Sequence, residues 1–177
     1  MRDQVEFIAY GRPAPQGSKK AFAIYKGSRG ARSFTGKIAQ VEMSKYVKPW
    51  RESVAAAALT LDILDPFEGP LVADMVFSIA RPKSHYRTGR FSHLLRDSAP
   101  TAPACTPDLS KLCRATEDAM TGIVWKDDAL VVKYENFAKV YVGSAEPDAL
   151  DAPGAVIRVR PFVPAAAGML PGLAGAA

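Results

Sequence analysis

Three carboxylates set among cations are the residues of this chain best suited to chemistry. Asp108 lies in Pro107-Asp108-Leu109-Ser110-Lys111-Leu112, and Asp127 and Asp128 follow Trp125-Lys126. Oxygen-rich clusters of this kind suit Mg²⁺, which takes one or two carboxylates and completes its shell with water and phosphate oxygens. Such an ion can polarise a phosphate, generate hydroxide and stabilise a leaving oxygen. Lys111 and Arg114 stand on the solvent side of Asp108, where either can offset charge on a phosphate undergoing substitution. At 100° per residue, Asp108, Lys111 and Asp118 share one side of a helix, beside its apolar face. The same residues also suit an ordinary helix start followed by a surface turn.

Two basic blocks flank these acids. Residues 1–60 hold eleven Lys/Arg against four Asp/Glu, and residues 81–114 hold seven against two. The net charge of +5 over 177 residues matters less than this clustering, which points to a polyanionic partner around a metal centre. In the first block, Pro15-Gln16-Gly17-Ser18-Lys19-Lys20 offers a flexible glycine, a hydroxyl and two ammonium groups to a phosphate. It lacks the spacing of a Walker loop. In the second, Arg81, Lys83, Arg87, Arg90 and Arg96 alternate with Tyr86, Phe91, His85 and His93, a mixture suited to a nucleic-acid backbone and an exposed base. An unpartnered basic surface is the competing view of both blocks. Cys105 and Cys113 have neither zinc-ligand spacing nor a disulfide framework, and neither histidine has a nucleophile context. No apolar run reaches the length of a membrane span, and the first residues lack a signal-peptide pattern. A cytoplasmic protein without membrane contact is expected.

The elements that must position these residues are legible in outline. Residues 4–10 alternate as a strand, and 20–25 with 32–34 read as a short hairpin. Residues 44–64 carry apolar side chains at helical spacing, with Pro49 in the first turn. Leu71 to Ala80 is a strand, and 83–106 a long basic loop that is either functional or mobile. The second helix takes Thr106 as its N-cap, Pro107 as its first residue and Gly122 as its C-cap. Ile123–Trp125, Leu130–Val142 and Ala155–Val163 follow as strands. The predicted fold is α+β, a mixed sheet with both helices on one face, in a single domain over 1–163. The Ala/Gly/Pro tail, 164–177, is expected to be disordered.

The quoted motifs, together with Asp118-Ala119-Met120-Thr121-Gly122 and Pro13-Ala14-Pro15-Gln16-Gly17-Ser18, resemble the RusA family of Holliday-junction resolvases, particularly its phage-borne members. The resemblance spans most of residues 7–142. It implies a homodimeric, Mg²⁺-dependent endonuclease that cuts four-way DNA junctions by paired nicks. It assigns the metal to Asp108 and Asp128 and matches the family's basic helix residue to Arg114; Asp127 is expected to support the metal. Ser110 stands where the family carries a further aspartate. A binder of branched or single-stranded DNA that does not cut is the alternative from another class.

Overall fold

The computed structural model describes residues 4–164 apart from 18, 28–31 and 43; the expected disordered tail, beyond its first residue, lies outside that set. Six strands and two helices are present among the described residues: β1 (Val5–Tyr10), β2 (Lys19–Lys26), β3 (Ser33–Glu42), α1 (Val47–Leu59), β4 (Leu71–Ile79), α2 (Leu109–Met120), β5 (Val131–Tyr141) and β6 (Gly154–Pro161). Four of the strands form one sheet in the order β1-β6-β4-β5. Only β4 and β5 run parallel; β6 is antiparallel to both β4 and β1. The predicted α+β class with a mixed sheet is therefore the observed one.

Alternation along the strands sorts side chains between the two faces. Val5, Phe7, Ala9, Leu71, Ala73, Met75, Phe77, Ala155, Ile157 and Val159 point to the helices and are buried. Trp50, Val54 and Ala58 of α1, and Leu112, Cys113, Ala115 and Ala119 of α2, close the core from the other side. Burying a Trp or Phe side chain here stabilises the fold by about 2–3 kcal/mol each. Trp50 also donates from Nε1 to Thr116 Oγ1 (3.0 Å), which ties the helices together without leaving a buried donor unpaired. Gly154 begins β6 so close to β1 that a Cβ there would lie 2.5 Å from the Ala9 carbonyl oxygen.

Four boundaries differ from the sequence expectation. α1 ends at Leu59 rather than 64, with Leu61 and Ile63 still packed on the core from the following turns. β3 extends to Glu42, well past the expected 34, because its pairing with β2 continues to Lys19. Ile123–Trp125 is a turn rather than a strand, since Trp125 makes only single bridges to Thr121 and Phe67. The N-cap of α2 is Asp108, not Thr106, and Pro107 precedes the helix. Gly122 follows the C-cap Thr121 at φ +79°, the left-handed position that favours glycine.

The sheet face away from the helices carries a paired polar cluster beside the buried Val76 and Val156. Arg158 reaches Glu6 (3.0 Å) and Asp148 (2.7 Å through each of two nitrogens), while Arg160 meets Asp74 and Glu135. The Arg158 hydrogen bonds hold the Asp148 carboxyl below the usual carboxylate range. That contribution is complete above the unfolded-state value near 3.9 and is lost as pH falls through the lower folded value. Asp148→Asn keeps the positive φ of this position and should lower unfolding stability by about 2 kcal/mol at pH 7. Urea titrations of the two proteins should converge as pH falls through the lowered folded value of Asp148, and a constant gap across pH would show that its ionisation is not responsible.

Candidate active site

The parallel pair dictates where the site can form. Parallel neighbours cannot be joined by a tight turn, so the chain crosses back over the sheet, and α2 is that crossing. Its start lies by the carboxyl end of β5, where Lys139 Nζ donates to the Pro107 carbonyl (2.8 Å) and to that of Cys105. Its middle lies over the strand centre and its last turn over the first part of β5. Cys113 Sγ is 3.8 Å from Met75 Sδ, and the Tyr134 hydroxyl donates to Glu117 Oε1.

Asp108 is the exposed N-cap of this helix. Its side chain makes no capping hydrogen bond and instead accepts from Lys111 Nζ at 2.8 Å. That hydrogen bond, followed by the lysine's charge, holds the Asp108 carboxyl below its ordinary value. Arg114 is exposed one turn further on, and Ser110 is exposed beside Lys111. The Pro15-Gln16-Gly17 segment runs along the same flank, where the Gln16 amide donates to the Lys111 carbonyl (2.9 Å) and its side chain donates to Asp118. Asp118 is also 3.5 Å from Arg51, so it braces the segment against both helices. Asp108 and Lys111 are thus brought together.

The other carboxylates are elsewhere. Trp125 is fully buried, and Phe67 exchanges backbone hydrogen bonds with Val124 and Lys126, which fixes the turn after α2. Asp127 then accepts from the Ala129 amide (2.8 Å), and Asp128 opens a short 3₁₀ turn into β5. Twelve helical residues, a rise of about 18 Å, separate this turn from Asp108. The expected union of Asp108 with Asp127 and Asp128 does not occur within one chain, because the crossover sends the two ends of α2 to opposite ends of β5. Among the described residues no three acidic, His or Cys side chains gather into a metal-holding group.

The basic residues divide similarly. Lys19 and Lys20 open β2, with side chains outside the described set. Arg81 donates to the Pro100 carbonyl (2.7 Å), Arg96 to that of Tyr86 (2.8 Å), and Arg87 to that of Leu95 and to Asp97 (2.8 Å). The 83–106 segment holds two short 3₁₀ turns cross-braced by these arginines, with Lys83 and Arg90 exposed. Sequence reasoning missed Lys139, Arg51 and the anchoring role of Gln16. A lysine between Ala138 and Val140 in a strand was the available signal for the first; the other two had none.

Residues 24–159 match the family described as Endodeoxyribonuclease RusA. The chain belongs to the RusA family. The match covers β3 through most of β6, and so includes Asp108, Asp118, Asp127 and Asp128. RusA-family proteins are Holliday-junction-resolving endonucleases. No curated protein matches the chain. Among the described residues no helix is long and apolar enough to cross a membrane.

Lys111→Met should let the Asp108 carboxyl titrate upward, into the ordinary range near 3.9. Carboxyl-carbon NMR titration of the two proteins checks this, and an unchanged midpoint would show that Lys111 is not its partner in solution.

Proposed function

We propose that this RusA-family protein is a Mg²⁺-dependent endonuclease that resolves four-way or other branched DNA as a homodimer. Its cellular setting would be recombination and repair, or clearing branched DNA before phage packaging. The observation that carries the reading is Asp108, an exposed carboxylate paired with Lys111 beside Arg114 within the family-matched span. Lys111 and Arg114 provide cations for a phosphate placed at the start of α2, where the helix dipole also favours negative charge.

Asp108 alone gives a metal one carboxylate, the fewer of the one or two that Mg²⁺ takes. A second copy would supply others. β5 is the outer strand of its sheet, with Val132 56% exposed, and an open edge of this length invites pairing. Two β5 edges paired about a two-fold axis would set the α2 helices antiparallel, the start of one beside the end of the other. Asp108 of one protomer would then share the ion with Asp128 and Asp127 of a second copy. When bound, the metal supplies phosphate polarisation and a hydroxide nucleophile. Two such sites per dimer suit a four-way junction, which needs two related cuts. The reading of a non-cutting DNA binder draws support from Ser110, which brings no charge where the family has an aspartate.

Mixing two inactive variants tests the shared site. Asp108→Asn and Asp128→Asn should each abolish nicking of a synthetic four-way junction, as should a chelator. An equal mixture should recover about a quarter of wild-type sites, because each mixed dimer keeps one intact pair. Recovered activity should appear as single nicks. No recovery despite demonstrated exchange of subunits would place the carboxylates within one chain, and DNA binding without any wild-type nicking would favour the non-cutting reading.

A further inference from the structure

The carboxyl ends of β4 and β5 open onto a cavity of about 640 Å³ that the reading above leaves unused. Its volume falls in the usual range of small-ligand clefts, roughly 300–1,000 Å³. Ile79 and Ala80 form its floor with Tyr141, and the wall runs through Cys105, Thr106 and Pro107 to the threshold of Asp108. Ligands commonly sit outside the carboxyl ends of parallel strands, and this cavity occupies that position for the one parallel pair of the sheet.

Two features describe what would fit. Tyr46 and Tyr141 both line the cavity, and each carries a guanidinium: Arg12 lies 4.1 Å from the centre of the Tyr46 ring, and Arg81 lies 3.9 Å from that of Tyr141. Tyr141 is fully buried against Arg81 and His85, so Tyr46, exposed and backed by Arg12, is the ring that offers stacking to a flat base, with Arg12 attracting the phosphate beside it. Five of the lining residues are prolines, and Lys139 clamps the carbonyls of Cys105 and Pro107, so the wall is stiff.

We propose that this cavity receives one unstacked nucleobase of the DNA strand whose phosphate lies at Asp108. The proposal rests on the endonuclease reading and adds to it a source of selectivity. A base at a branch point costs less to unstack than one inside a duplex, so a base-holding cavity favours branched over linear DNA. The seated base also fixes which phosphate of the strand comes to rest at the start of α2.

Cys105 provides the test, because its exposed thiol lines the cavity. The other thiol, Cys113, is buried and pushed up to about 12 by that burial, so a disulfide reagent reads Cys105 alone. Without divalent metal, a saturating four-way junction should slow Cys105 modification about fivefold or more. The same junction with abasic sites at its branch nucleotides should still bind in a gel shift, yet slow the reaction by less than about twofold. Tyr46→Ala should weaken junction binding by about fivefold, and Tyr46→Phe should restore it.

Equal protection by the abasic junction would overturn the proposal, as would no protection by a junction that the gel shift shows to be bound. Protection that grows with protein concentration and needs no DNA would assign the cavity to a second copy, and so overturn it too. A protein that binds no branched DNA in the gel shift would instead bring down the endonuclease reading, and the cavity proposal with it.

Discussion

Parallel pairing of β4 with β5 is the constraint from which the rest of the molecule follows. Two parallel neighbours oblige the chain to return across the sheet, and it returns as α2, buried along Leu112, Cys113, Thr116, Ala119 and Met120. The helix cannot slide, because Trp50 is bonded to Thr116 and Lys139 holds the carbonyl just ahead of Asp108. Everything at its two ends is therefore fixed by the core. Asp108 is delivered to one end of the sheet and the Asp127-Asp128 turn to the other, as a matter of topology rather than of local preference.

The long-period features of this arrangement were legible in the sequence. Alternation in 4–10 and the apolar run of 71–80 marked two of the strands of the main sheet, and helical spacing marked both helices. The short-range chemistry around Asp108 was legible too, since residues three apart on a helix are neighbours whatever the fold. Long-range placement was not. Nothing in Trp125-Lys126-Asp127-Asp128 reveals that Trp125 is buried against Phe67, or that the turn it anchors lies a full helix length from Asp108. Proximity along the chain suggested that the carboxylates could meet, and strand direction, which residue spacing does not encode, decided otherwise within one chain.

The clustered carboxylates and cations also behave less uniformly than their counts imply. Asp118 looked equivalent to Asp108 by its angle on the helix, yet it is engaged by Gln16 and Arg51 and serves as a brace. Arg158 and Arg160 raise the charge count but are matched on the far sheet face by Glu6, Asp148, Asp74 and Glu135. Asp108 is instead exposed and hydrogen-bonded to Lys111, a state from which a competing ligand can readily draw it.

The arginines of the 83–106 segment behave in the same way, with a consequence for how the protein would meet a charged polymer. Arg81, Arg87 and Arg96 turn donors inward to backbone carbonyls, acting as struts that shape the loop. The charges of Arg81 and Arg96 are not consumed by neutral carbonyls, so they still radiate into solvent, whereas Arg87 is matched by Asp97. An approaching polyanion would feel a diffuse pull, damped within about 10 Å at 0.1 M salt, more than a set of rigid clasps. Attraction of that sort gathers a long molecule quickly and lets it slip free again once the salt rises.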